Sequence, residues 1–300
     1  MNQERIKKNA QNDRVNAVKQ KKLKVFWRQY RKNKGAVIGL IILAIFVCMA
    51  LLSPILWDYE NDVIGMKTMQ RLQPPSWEHP FGTDHMGRDV LARICFGARY
   101  SLMISVLVVG ISFIIGLAIG AVAGYFGGKI EYMIMRVVEL FLMIPSFMLV
   151  VVFVAAFGIG VKNLILALGL VTVPHFTRIA RASVLSVRSS EYIEAARAIG
   201  CRQSTIIFKH VIPNALTPSL VQATTRFASA IIDAASFSFL ALGVPAPLPE
   251  WGALLSDARN YMREHPHLII FPGLAIMIAV LAINLAGDGL RDALDPKSKR

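Results

Sequence analysis

The chain has 300 residues, 55% of them hydrophobic, and a mean hydropathy of +0.51. That is too apolar for a soluble domain and suits a polytopic membrane protein. A net charge of +14 invites comparison with nucleic-acid-binding proteins, but the 33 Lys and Arg residues alternate between loops instead of lining one basic face, which argues against nucleic acid as a partner.

Residues 1–34 form a basic N-terminal segment holding twelve of the Lys and Arg residues. Met1 to Lys24 lacks apolar periodicity and reads as disordered or lying on anionic membrane lipid, while Phe26, Trp27 and Tyr30 suit headgroup depth. No cleavable signal is expected, because the first apolar run starts at Gly35, is too long for a signal core and lacks an A-x-A site. Six stretches approach the ~20 apolar residues needed to cross roughly 30 Å of hydrocarbon. They are Gly35 to Leu56, Tyr100 to Gly124, Tyr132 to Phe157, Leu164 to Phe176, Leu220 to Gly243 and Leu268 to Leu285. The predicted fold class is therefore all-α integral membrane with six transmembrane helices. The domains read as 1–34 basic segment, 35–56 first transmembrane helix, 57–99 extracytoplasmic loop, 100–287 core of five helices and 288–300 tail.

The 57–99 segment contains HPFGTDHMGRDVLARICFGARYSL, within which Arg88 to Phe96 reads as a short amphipathic helix lying against the membrane. His79, Asp84 and His85 lack a third clustered ligand and do not make a metal motif. The second span carries Gly116, Gly120 and Gly124 at four-residue spacing, a pattern that lets helices approach closely in lipid. Gly127-Gly128-Lys129 is no phosphate loop: no Gly stands five residues before Gly128 and no Ser or Thr follows Lys129. Arg136 and Glu139, three apart near the start of the third span, share a helix face and can pair, with Glu131 close by. The fourth span is short and is expected to end at Pro174.

Between the fourth and fifth spans lies the polar stretch SSEYIEAARAIGCRQSTIIFKHVIPNALTP, residues 189–218. Ser189 or Ser190 is a plausible N-cap, with Glu191 and Glu194 in the first turn, where the helix dipole favours acids. Ala195, Ala196 and Ala198 favour helix and leave little side chain between this backbone and a neighbour, and Gly200 suits a left-handed stop. A second short helix is expected over Ser204 to His210, stopped by Pro213. In the fifth span, Arg226 and Asp233 are seven residues apart on one face. An unpaired charge facing lipid costs about 2.5–3.5 kcal/mol, so both must face protein or water, either locking helix packing or lining a solute path. The following segment IDAASFSFLALGVPAPLPEWG places Pro245, Pro247 and Pro249 outside any helix and assigns Trp251 to the outer interface.

Arg178 to Lys209 carries six basic residues and the tail four, against eight across the opposite loops. By the positive-inside rule both termini and the polar stretch are cytoplasmic. Cys48, Cys95 and Cys201 fall in a span, an outside loop and an inside loop, so no internal disulfide is expected.

Glu194-Ala195-Ala196, then Gly200, then Ile212-Pro213, resembles in type and spacing the EAA loop of bacterial ABC importer permeases. His210 stands where the general pattern has Ile, and EYIEAARAIG with HVIPN resembles the peptide and nickel branch. The HPFGTD segment and the IDAASFSFLALG segment resemble the C-type subunit of dipeptide and oligopeptide importers, with Asp233 where Glu is common and Ala241 where Gly is common. The Ala241 departure reads as a stiffer helix end. The resemblance covers nearly the whole chain. It implies that Glu191, Glu194, Ala195, Ala196, Gly200 and Pro213 dock an ATP-binding cassette ATPase, that a second homologous permease completes the path, and that an extracytoplasmic solute-binding protein delivers substrate. It also implies no cofactor of the chain's own, ATP being bound and hydrolysed by partner subunits, and a place in the bacterial inner membrane. Relatives of this kind carry di- and oligopeptides, glutathione, nickel chelates or haem, with peptide the substrate expected here. Two other classes compete. An intramembrane enzyme would need a cluster such as H-E-x-x-H or a Ser-His pair in the spans, and none is present. An ion-driven carrier or channel would also explain six spans and intramembrane charge, and would purify without an ATPase.

Overall fold

The computed structural model describes residues 24–294, so the expectations for residues 1–23 and 295–300 lie outside the described residues. Among those described the chain is helical, its β pairing confined to one isolated bridge between Thr83 and Asp89. After a helical stretch over 24–30, and leaving aside single turns, the helices in chain order are α1 (Lys34–Leu56), α2 (Val90–Phe126), α3 (Gly128–Met143), α4 (Ser146–Phe157), α5 (Val161–Arg188), α6 (Glu191–Ala198), α7 (Ile212–Phe239), α8 (Trp251–Ala258) and α9 (His267–Leu294). Four of them, α1, α2, α5 and α9, are long and apolar enough to cross a membrane, and α3 with α4 makes a fifth if that bent pair is one span. The remaining expected span, the fifth in chain order, is helix α7, which fails the same test because Gln222, Thr224, Thr225, Arg226, Ser229, Asp233 and Ser236 interrupt it.

Three boundaries differ from the sequence expectation. The third span breaks between Met143 and Ser146, with α4 turned 89° from α3. Pro145 cannot donate into the helical ladder, and it forces the preceding Ile144 into extended backbone (φ −87°, ψ 130°). The fourth span does not end at Pro174 but runs 28 residues to Arg188, with Pro174 buried inside it. Contact with α2 along this length outweighs the lost hydrogen bond, and Thr177 Oγ1 donates to the Val173 carbonyl beside the proline. The amphipathic stretch Arg88 to Phe96 is not a separate helix. Its residues from Val90 onward open α2, N-capped by Asp89, whose carboxylate accepts from the Ala92 N–H at 2.8 Å. At ~1.5 Å per residue the 37 residues of α2 reach roughly 55 Å, well beyond the hydrocarbon.

The central contact is α2 against α5. A Cβ added at Gly120 would lie 2.5 Å from the Thr177 carbonyl and 2.6 Å from the Ala180 Cβ, one at Gly116 2.5 Å from the Phe176 Cβ, and one at Gly124 2.8 Å from the Arg181 carbonyl and 3.0 Å from Val184. The glycine row is a backbone groove that seats α5. Helix α9 packs on α1, and α7 fills the space between α2, α5 and α9. Broad outward faces of α1 and α3 remain apolar, with Leu51, Ile55, Leu140 and Met143 each more than 60% exposed. Four or five apolar spans with greasy outer faces make this a multi-pass membrane protein.

At one end of the bundle, residues 57–89 and α8 form a cap. Trp251 is fully buried there, packing edge-on to Phe46 and donating from Nε1 to the Ile94 carbonyl at 3.0 Å. It is a core residue, not an interfacial anchor, because the Pro-rich turn before it folds α8 back onto α7 and α9, with Trp251 reaching α2.

Candidate functional site

The opposite end of the bundle carries a helical foot built from residues 189–218. Helix α5 stops where the Ser189 and Ser190 N–H groups fold back on the Leu185 and Val187 carbonyls. Ser190 then takes the N-cap position of α6, but its hydroxyl donates to the Val187 carbonyl and does not cap the new helix. Glu191 and Glu194 occupy the first turn. Helix α6 ends at Gly200 with φ +79°, where Gly200 N–H bonds the Arg197 carbonyl at 3.0 Å and Cys201 N–H the Ala196 carbonyl at 3.1 Å. This paired closure needs a left-handed residue, which glycine supplies without strain. An added Cβ at Gly200 would meet nothing within 4 Å, so within this chain it is backbone conformation and not space that favours glycine here.

The second half of the foot departs from expectation. Gln203–Thr205 leads into a π-helical turn, Ile206–Val211, which passes without a stop into α7. Pro213 does not end a helix; it lies in the first turn of α7, where a missing N–H is least costly. The wider π turn takes up the misfit, and the Asn214 side chain donates to the His210 carbonyl at 2.6 Å.

Ile193, Ile206, Val211 and Ala215 are buried with Ala121 and Tyr125 of α2 and Val184 of α5, so the foot is bolted to three long helices. Its other side is bare. Glu191, Glu194, Ala195, Gly200 and Pro213 are exposed, and Ala196 is partly so. Sequence reasoning missed the large apolar residues among them: Tyr192, Ile199 and Phe208 stand 47%, 80% and 72% exposed. The signal was available, since these three lie off the periodicity of the buried Ile193, Ile206 and Val211. Beside the foot, Arg136 pairs with Glu139 at 3.0 Å as expected, whereas Glu131 instead receives the Arg181 guanidinium of α5, Nε to Oε1 at 2.6 Å.

Within the bundle, Arg226 and Asp233 lie on one face of α7 and share a cavity of about 220 Å³ between α4, α5 and α7. Ser146, Thr172, His175 and Ser236 add polar atoms to its wall, and Phe147 stacked on Phe237 at 5.1 Å gives an aromatic side. The break at Pro145 opens this space, because α4 turns away from the axis of α3 and brings Ser146 and Phe147 to the cavity. Arg226 Nε is buried with no hydrogen-bond partner.

In the cap, Asp84 receives Arg88 Nε at 2.7 Å and Arg93 Nη1 at 2.6 Å, with Asp257 of α8 3.5 Å from both guanidiniums. Burial would raise the Asp84 carboxyl, but Arg93, Arg88 and two backbone N–H groups outweigh it and hold it below the ordinary carboxylate range. His79 pairs with Asp89 at 2.8 Å, and His85 stacks on Tyr261. The sequence-adjacent His79, Asp84 and His85 are thus drawn to three separate partners.

Residues 116–300 match the family of binding-protein-dependent transport system inner membrane components, and residues 22–75 match the N-terminal transmembrane domain of oligopeptide transport permease C. The chain is 44% identical to the dipeptide transport system permease protein DppC of Alkalihalophilus pseudofirmus, over 91% of this chain and 89% of that protein. It is 42% identical to the di/tripeptide transport system permease protein DppC of Pseudomonas aeruginosa, over 92% and 93% respectively. The MetNI methionine ABC transporter, solved in inward-facing conformations, shares the fold at a TM-score of 0.57 and 22% identity, over 68% of this chain and 96% of that one. With apolar spans, a bolted foot and family matches across both halves, the chain belongs to the binding-protein-dependent transport system inner membrane components, the permease subunits of ABC importers.

Proposed function

We propose that this permease crosses the bacterial inner membrane six times, with both termini and the foot in the cytoplasm, and imports short peptides delivered by an extracytoplasmic solute-binding protein. Helix α7 serves as the fifth of the six spans: its 28 residues are long enough, and its polar face turns to the Arg226–Asp233 cavity. The foot docks an ATP-binding cassette ATPase, which performs all ATP hydrolysis, and a second homologous permease completes the solute path. Peptide as substrate rests on the relatives, whose names specify dipeptides and di- or tripeptides.

The observation that carries the docking role is the contrast between the two sides of the foot. Ile193, Ile206 and Val211 are buried, while Tyr192, Ile199 and Phe208 stand bare beside Glu191, Glu194 and Gly200. Exposed large apolar side chains rimmed by charges mark a protein–protein contact. Ile193, Ile206, Val211 and Ala215 pack the foot against α2 and α5 and lead into α7, so a displacement imposed by ATPase closure is passed to those helices. Alternating access then needs no covalent chemistry from this chain.

The test is purification in mild detergent together with uptake of labelled peptide in reconstituted vesicles. An ATPase and a second permease are expected to accompany the chain, with uptake requiring ATP and the binding protein. A chain that purifies alone and drives uptake from an ion gradient sinks the reading in favour of a secondary carrier.

A further inference from the structure

Resting on the peptide reading above, we propose that the cavity beside α7 is a two-point site for the charged ends of a di- or tripeptide, Arg226 receiving the carboxylate and Asp233 the ammonium group. Arg226 is half-buried and Asp233 exposed, yet both sit at mid-span depth on α7, where opposite charges normally collapse onto each other because the pair is far cheaper than its separated members. Here the two make no salt bridge with each other among the described residues, and Arg226 Nε is buried without a partner. Both open on the same cavity.

Their spacing selects the ligand. Seven residues at ~1.5 Å each put the two positions roughly 10 Å apart along α7, on one face. An extended peptide advances ~3.3–3.6 Å per residue, so about three residues span the same length, and the flexible arginine stem reaches a shorter ligand. The remaining wall agrees with this polarity. Ser236 Oγ donates to the Ile232 carbonyl at 2.7 Å and Thr172 Oγ1 to the Leu168 carbonyl at 2.7 Å, so both hydroxyls are left as acceptors. Ser236 is one helical turn from Asp233, where an acceptor suits an ammonium. The cavity of about 220 Å³ is this chain's share of the space and is large enough to hold the two charged ends of a small zwitterion. Because α7 rises from the foot, Arg226 lies nearer the foot than Asp233, and the peptide carboxylate leads toward that end.

The test is equilibrium binding of radiolabelled trialanine to the purified importer complex without its binding protein, with trialanine, N-acetyl-trialanine and trialanine amide as competitors. The wild-type complex is expected to bind each blocked peptide about tenfold more weakly than trialanine, the size of effect that losing one charge-assisted contact produces. Asp233→Asn should erase the discrimination against the acetylated peptide and retain that against the amide, and Arg226→Gln should do the reverse. Equal competition by all three peptides in the wild type, absence of binding, or variants that lose both discriminations together would overturn the two-point site. Uptake of trialanine by the same complex with its binding protein separates the two readings: uptake without this discrimination removes only the two-point site, whereas no peptide uptake removes the peptide reading itself.

Discussion

Ala241 carries a cost that its sequence does not advertise. Helix α7 closes with the Leu242 N–H on the Phe237 carbonyl and the Ala241 N–H on the Ser238 carbonyl, both at 2.9 Å, with Ala241 at φ +60°. The same closure at Gly200 uses glycine. An alanine Cβ in the left-handed region costs roughly 1 kcal/mol, so Ala241 strains the helix end instead of merely stiffening it. Ala241→Gly is expected to raise stability by up to about 1 kcal/mol, seen as a higher thermal midpoint in detergent; a lower midpoint would reject the left-handed assignment. Asp84 supplies a pH signature. Its carboxyl is depressed in the folded state, so its stabilisation is fully present above the unfolded value of about 3.9 and is lost as pH falls through the lower folded value. Thermal midpoints measured from pH 6 downward should therefore drop more steeply below pH 4 for the wild type than for Asp84→Asn. The variant should already be destabilised by about 3–5 kcal/mol at neutral pH, because two buried guanidiniums lose their shared partner.

Individual elements depend on glycine for two different reasons. Gly120 is needed for space, and Gly120→Val should separate α2 from α5 and abolish folded protein, measured as monodisperse yield after solubilisation. Gly110, whose added Cβ would meet nothing within 4 Å, is the control: Gly110→Ala should leave yield unchanged. Gly200 is needed for conformation, and a β-branched residue at φ +79° is strongly disfavoured. Gly200→Val should therefore leave membrane insertion intact while the ATPase is lost on co-purification; retained association would detach the foot from docking. The small-residue row was legible in the sequence because four-residue spacing maps directly onto one helix face. Its partner helix was not. Pro174 signalled a stop, and only the contact with α2 makes an uninterrupted α5 the lower-energy state.

At the scale of the whole molecule, the cap and the foot sit at opposite ends of α2, so they must lie on opposite sides of any membrane the bundle crosses. In the proposed topology the foot is the cytoplasmic end, the side that the charge asymmetry favours. Ser204 on the foot and Met69 in the cap are both exposed, which makes them suitable reporters. An impermeant thiol reagent applied to spheroplasts should label Met69→Cys at once and Ser204→Cys only after permeabilisation. The reverse pattern would invert the topology.

The sequence by itself determined the membrane class, the approximate positions of the crossing segments and the family resemblance. Apolar run length, charge asymmetry and the Glu-Ala-Ala, Gly and Pro spacing are local properties that need no partner segment to be read. Where each proline bends or fails to bend its helix, which histidines and aspartates pair, and that Trp251 is core were decided by the tertiary structure alone. Each of these is a competition between a local preference and a contact with residues far away in the chain, and the contact has no trace in the local sequence. The opening of the Arg226–Asp233 cavity belongs to the same class, since its walls come from α4, α5 and α7 and exist only when Pro145 has turned one helix away from its predecessor.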